Sequence, residues 1–219
     1  MKQYQGIWLP DHEKHLIEWM DKSGEIIDGR GSYQIRKWRA CLPWIKSWRV
    51  AIDIGAHVGF WAMHMAKKFA HVHAFEPVAE HRSCFQRNLL DAQNVTLHAC
   101  ALGAEARSHV GIMIPEGSSG GTHLDPTVEG TVMIRKLDDM PIDEVDYIKV
   151  DCEGYELQVL QGAVETLKRF HPCVIVEQKQ HIMAANFGTK GKPAVEFLES
   201  LGARQRVELS GDYILTWNP

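Results

Sequence analysis

The sequence predicts an α/β fold on a mostly parallel sheet, and three observations carry that reading. From Val50 onward, short apolar runs alternate with stretches of helical periodicity, the pattern of successive βαβ units. An acid and two spaced glycines, Asp53, Gly55 and Gly59, stand where the first of those strands gives way to a helix. Such a turn brings free helical N–H groups close to a ligand. Near the end of the chain, two β-type runs flank the turn pair Ser210-Gly211, which predicts an antiparallel hairpin. A chain of 219 residues, 45% of them hydrophobic, is long enough to bury one large core.

Taken in order, residues 1–49 form an N-terminal helical extension, and residues 50–219 carry the sheet. The extension has a helix from Asp11 to Asp21, then a stretch from Arg30 to Arg49 whose Trp38 and Ile45 suit docking on the sheet. The first parallel strand is Val50 to Ile54. A helix from Val58 to Phe69 follows, with Trp61, Met65 and Phe69 on one face and Lys67 and Lys68 at its negative end. The next elements are a strand from His71 to Phe75, a helix from Glu80 to Leu90 and a strand from Val95 to Ala99. Pro115 to Thr131 breaks the rhythm, and its Gly117-Ser118-Ser119-Gly120-Gly121 run reads as a flexible loop suited to a lid. Asp146 to Val150 is the fourth strand. The helix from Glu156 to Phe170 aligns Leu157, Leu160, Val164 and Leu167 and stops at His171-Pro172. Cys173 to Glu177 is the fifth strand, Ala194 to Leu201 a helix closed by Gly202, and Gln205 to Leu209 with Tyr213 to Trp217 the hairpin.

Composition narrows the function. A net charge of −4 argues against a protein that wraps nucleic acid, because phosphate neutralisation needs a basic excess. Cys41, Cys84, Cys100, Cys152 and Cys173 are scattered with no C-x-x-C pair, as expected of reduced thiols in a cytoplasmic protein. No run approaches the ~20 apolar residues of a membrane span, so no membrane partner is expected.

The carboxylate at the first turn is informative. A dinucleotide would bring its pyrophosphate against this turn, and a fixed Asp53 would repel it. The chain also lacks G-x-G-x-x-G there, which disfavours a nicotinamide-dependent oxidoreductase. Asp53 therefore predicts a ligand with a positive group and no phosphate. One strand–helix–strand unit later, Glu76 closes the second strand in "HAFEPVAE", where an acid accepts hydrogen bonds from ribose hydroxyls.

The motifs "DIGAHVG", "AFEP", "ACALG" and "IKVDCEGYELQVLQGA", in this order, resemble the FkbM family of methyltransferases over roughly residues 50 to 177. The resemblance implies a Rossmann-like seven-stranded sheet with helices on both faces. It also implies S-adenosylmethionine as methyl donor and O-methylation of a hydroxyl on a small molecule or glycan. That donor, with an ammonium and a sulfonium beside adenosine, meets the charge requirement set by Asp53. Carried over by position, Asp53, Gly55, Ala56 and Gly59 form the methionine-side loop, together with His57 and Phe60 on the same turn. Glu76 and Pro77 hold ribose, and Cys100, Ala101 and Leu102 line the adenine. His57 departs from the asparagine common at its position in the family.

An alcohol acceptor must lose a proton as it takes the methyl group, so a base is expected at the same strand edge. Asp151, at the tip of the fourth strand, is the leading candidate and also borders the cofactor; Lys149 alternates onto its face as a possible partner. Glu177, at the tip of the fifth strand, and His181 complete the expected catalytic set, with Glu153 beside it for substrate. The spacing demands no metal, although three acids at one edge offer a donor set for one.

For the acceptor, Tyr33 and Gln34 in "GRGSYQ" and His123 after the glycine-rich loop are the remaining substrate candidates. Between Asp28 and Asp53 there is no acid, while Arg30, Arg36, Lys37, Arg39, Lys46 and Arg49 interleave with Tyr33, Trp38, Trp44 and Trp48. That stretch offers a second reading, a nucleic-acid-directed methyltransferase or binding module. The plainer alternative is a docked helix with solvated cations. Oligomeric state is left open by the sequence.

Overall fold

The computed structural model describes residues 1–217. A hairpin of β1 (Lys2–Tyr4) and β2 (Ile7–Leu9) leads into α1 (His15–Ser23), a second hairpin of β3 (Ile26–Ile27) and β4 (Arg30–Gly31), and α2 (Ile35–Cys41). The sheet domain then runs β5 (Val50–Ile54), α3 (Phe60–Met65), β6 (His71–Phe75), α4 (Ala79–Asn88), β7 (Val95–His98), β8 (Ala101–Leu102), β9 (Arg107–Met113), β10 (His123–Glu129) and β11 (Val132–Arg135). It ends with β12 (Tyr147–Val150), α5 (Glu156–Gln161), α6 (Val164–Phe170), β13 (Cys173–Glu177), α7 (Gln180–Phe187), α8 (Pro193–Ser200), β14 (Arg204–Leu209) and β15 (Asp212–Thr216).

The main sheet has seven strands in the order β14-β15-β13-β12-β5-β6-β7. The five expected strands pair in parallel, and the C-terminal hairpin adds β15 antiparallel to β13. The central strands are buried on both faces, which is why β5 and β12 read as unbroken apolar runs interrupted by one charge each, Asp53 and Lys149. From β5 the chain builds outward through β6 and β7, then crosses to β12 on the other side. This reversal opens a crevice at the C-terminal ends of β5 and β12, the place where open α/β sheets bind ligands.

Two sequence expectations are corrected. The segment from Pro115 to Thr131 contains β10, which pairs with β9 in a second sheet of order β10-β9-β11-β8. Val110, Leu124, Val132 and Ile134 press one face of this sheet onto the main core. Only the turn before it, residues 117–121, has the loop character that the glycines announce. The single helix predicted from Glu156 to Phe170 is two, and at Gly162 between them the chain passes so close to Gly103 that a Cβ there would lie 2.0 Å from the Gly103 carbonyl oxygen. The extension packs against the sheet domain. Ile35, Trp38, Cys41 and Ile45 share a buried cluster with Trp61, Met65, Phe69 and Tyr147, while Ile7, Leu9, Leu16 and Met20 pack on Val58, Phe60 and Cys84. Each large apolar side chain buried this way contributes roughly 1.5–3 kcal/mol. Among the described residues, no helix is long and apolar enough to cross a membrane.

Candidate functional site

Two cavities adjoin at the crevice. The smaller, of about 70 Å³, is lined by Phe75, Glu76, Pro77, Ala101, Leu102 and Ser119 among others. The larger, of about 420 Å³, lies among Tyr33, Phe60, Lys149, Asp151, Glu177 and Lys179. Gly55, His57, Gly120, Asp151 and Glu153 border both.

The turn after β5 forms the partition. Gly55 has φ +74°, and a Cβ on it would stand 1.9 Å from the Asp151 carbonyl oxygen, so the tips of β5 and β12 touch and glycine is required. Gly55 and Ala56 donate to the Phe75 carbonyl at 3.2 and 3.1 Å. Gly59 serves a different purpose from the one expected: it faces Leu89 and Phe85 and seats α3 on α4.

Glu76 is 4% exposed. Its Oε2 accepts the His57 N–H at 2.8 Å, and its Oε1 accepts the Val78 N–H at 2.8 Å with the His81 ring at 3.3 Å. A carboxylate has about four acceptor positions, so these bonds leave room on Oε2 and restrict the bidentate role expected of it. Apolar Phe75, Val78, Ala101 and Leu102 around it suit a purine nucleoside. Cys100, expected beside them, is instead packed into the core.

Asp151, Glu153 and Glu177 bring carboxylate oxygens within 4.8 Å of one another. Lys179 pairs with Glu177 at 2.5 Å, and Lys149 lies 3.8 Å from Asp151. These are the donors a divalent cation would use, and the two ammoniums already bring positive charge to them. Burial, reinforced by the Asp151 charge, pushes the Glu153 carboxyl up to about 8. The same two causes raise Glu177 well above the usual carboxylate range. Glu156, which accepts from the Cys152 and Gly154 N–H groups at 3.0 and 2.9 Å, is pushed by burial to about 7.

The other candidates divide. Tyr33 reaches the larger cavity and packs on Trp19 and Phe60, with ring centroids 4.7 and 5.6 Å away. His181, exposed on α7, also borders it. Gln34 does not: it turns inward and accepts the Trp61 indole N–H at 3.0 Å. His123 lies on the smaller cavity, away from the acceptor side expected for it. Asp53 is fully buried and lines neither cavity.

The cations of the basic stretch are largely engaged within the protein. Lys37 pairs with buried Asp212, Arg39 with Glu25, and Arg49 with Asp146 and Glu144, while Arg30 donates to the Asn88 carbonyl at 2.7 Å. Arg36 and Lys46 are exposed.

Sequence reasoning missed Glu13, Ser119 and Lys179. Ser119 N–H donates to Glu13 Oε2 at 2.6 Å, its hydroxyl bonds the same carboxylate, and His57 Nε2 lies 2.8 Å from that hydroxyl. Glu13 and Ser119 are both fully buried. Glu13 sits in no motif, Ser119 reads only as part of the glycine-rich run, and the two are far apart in the chain. Lys179 had a faint signal in its spacing of two from Glu177.

The Methyltransferase FkbM domain family matches residues 53–204. Methyltransferase 1 of Beauveria bassiana (strain ARSEF 2860) is 28% identical over 141 residues, which cover 51% of this chain and 57% of that protein. The crystal structure of Methyltransferase FkbM from Methylobacillus flagellatus KT superposes with a TM-score of 0.51 at 20% identity, over 77% of this chain and 43% of that one. The chain thus spans about half the length of these two proteins. Fibrillarin from Aeropyrum pernix with natively bound S-adenosyl-L-methionine gives 0.52 at 12% identity, over 89% and 82% of the two chains. N-methyltransferase NodS from Bradyrhizobium japonicum WM9 with S-adenosyl-l-homocysteine gives 0.51 at 9%, over 84% and 85%. At such identities these structures establish a shared fold.

Proposed function

The chain belongs to the FkbM methyltransferase family, and from that premise we propose that it transfers a methyl group from S-adenosylmethionine, the family's donor, to a hydroxyl of a small molecule or glycan. The observation that carries this reading is Asp151, which borders both cavities and so stands between a nucleoside-sized apolar wall and a polar acceptor space.

The residues present suit the donor. Phe75, Val78, Ala101 and Leu102 offer purine contacts, Glu76 a ribose acceptor, and Asp151 a carboxylate toward the amino-acid arm. When bound, the donor supplies an electrophilic methyl on a sulfonium. The protein's own contribution is to align the acceptor, exclude water and remove a proton. Tyr33 and Phe60 form the aromatic wall against which the acceptor rests. Asp151 takes the hydroxyl proton, and the Lys149 ammonium lies 3.8 Å from its carboxylate. Glu153 and Glu177, sharing the cluster, hydrogen-bond the acceptor's remaining polar groups.

The test is methyl transfer from labelled donor to a panel of hydroxylated small molecules, with ligand binding followed separately by thermal unfolding. S-adenosylhomocysteine at about 100 times its dissociation constant should add roughly 2.7 kcal/mol of stability, and NAD none. Asp151→Asn should still bind the product nucleoside while kcat falls roughly 10²–10⁴-fold. An unchanged kcat in Asp151→Asn, or stabilisation by NAD alone, defeats the reading.

A further inference from the structure

The buried acid on β5 has its counter-charge inside the protein. Asp53 is one residue from the end of the strand and 0% exposed. Directly opposite in register on β12 is Lys149, itself 4% exposed, with its ammonium 3.4 Å from Asp53 Oδ1. Among the described residues, neither Asp53 oxygen has a well-aligned hydrogen-bond donor besides that contact. The same ammonium donates to the Gly55 carbonyl at 2.7 Å and the Ile54 carbonyl at 3.3 Å, and lies 3.8 Å from Asp151 Oδ2. One lysine with three donors therefore ties the tip of β5, the glycine turn and Asp151 into a single unit.

We propose that Lys149 is a positioning residue, the internal counter-ion of Asp53, and that Asp53 serves the cofactor site through Lys149 rather than by touching a cationic ligand. Lys149, unlike Asp53, reaches a cavity: it borders the larger one. Burial opposes its charge, but Asp53 and Asp151 outweigh burial and raise its pKa above the ordinary lysine value. Removing Lys149 leaves a buried carboxylate with no compensating charge, the costly half of a broken pair. Removing the Asp53 charge as well relieves that cost. The effect of Asp53→Asn must therefore change sign with the residue at 149: harmful beside lysine, beneficial beside a neutral side chain.

This inference rests on the proposed function, and two probes separate the two. S-adenosylhomocysteine carries the amino-acid arm with its ammonium; 5′-methylthioadenosine has the same adenosine without it. The ratio of their affinities isolates the arm and cancels general loss of folded protein. In wild type the ratio should favour S-adenosylhomocysteine. Asp53→Asn should lower it several-fold and Lys149→Met by about tenfold, while the double variant recovers part of the loss suffered by Lys149→Met. If Lys149→Met does not fold, the double variant, which buries no unpaired charge, decides the matter alone by keeping its ratio within about tenfold of wild type. A ratio near one in the double variant, or an equal fall on Asp53→Asn in both backgrounds, shows direct contact between Asp53 and the ammonium and overturns the proposal. A wild type that binds neither nucleoside defeats the functional reading and this proposal with it.

Discussion

At neutral pH the Glu153 carboxyl holds its proton, because burial and the neighbouring Asp151 charge move it from an ordinary 4.5 to about 8. Three carboxyl groups this close interact as they titrate. The deprotonated form of Glu153 is complete above about 8 and is lost as pH falls, so a limb of kcat/KM set by Glu153 should climb with pH up to about 8. Glu153→Gln removes the group that titrates near 8 and should displace that rising limb. Parallel pH–rate profiles of the two proteins check it, and an undisplaced limb would exclude Glu153 from the reacting cluster. Asp151 and Glu177 were readable as strand-tip acids, since a parallel strand delivers its last side chains to one edge. That the three acids share one point was not readable, because it depends on the positive φ of Glu153, which turns the chain back after β12.

Among elements, the loop 117–121 and the segment before α1 act together. Lys14 and His15 N–H groups both reach the Gly117 carbonyl, at 3.0 and 3.2 Å, and Ser119 is held between Glu13 and His57. With the Ser119 hydroxyl donating to the Glu13 carboxylate, its oxygen accepts from His57 Nε2–H, which assigns the neutral tautomer to that ring. Burial keeps the His57 imidazole well below its ordinary pKa, in agreement with that tautomer. Ser119 and Gly120 line the smaller cavity, so this loop is placed to gate a nucleoside entering or leaving it. Ser119→Ala removes a charge-assisted bond and should speed S-adenosylhomocysteine dissociation about tenfold in stopped-flow measurements. An unchanged rate would mean that the loop does not gate the site. The glycines announced a lid in the sequence. Its latch lies in contacts between residues about a hundred positions apart, for which a local pattern has no signal.

Across the whole molecule, the extension and the sheet share one interior. Trp38 packs edge-on against Trp61 and Tyr147, with centroids 6.1 and 5.7 Å away, and Lys37 pairs with buried Asp212 on β15. Deleting residues 1–49 should therefore abolish cooperative unfolding of the remainder rather than yield a stable domain. Circular dichroism melts of the truncated and full chains would show it, and a sharp transition in the truncated chain would mean that the sheet domain folds without the extension. The basic stretch inside this extension looked like a surface for anions. Folding pairs Lys37, Arg39 and Arg49 with Asp212, Glu25, Glu144 and Asp146, and Arg30 with a backbone carbonyl, so four of its six cations are engaged within a docked segment.

By itself, the sequence determined the five parallel strands, the closing hairpin, the glycine turn after β5 and the acids at the strand tips. Each follows from an apolar period, a turn pair or a short motif, and those are local properties of the chain. The tertiary structure alone decided how those groups are satisfied. It seated Lys149 opposite Asp53, turned Gln34 inward to Trp61, and paired β9 with β10 across a loop that looked structureless. A buried charge must find its counter-charge and a buried edge its partner, and which residue answers is set by the packing of strands distant in sequence.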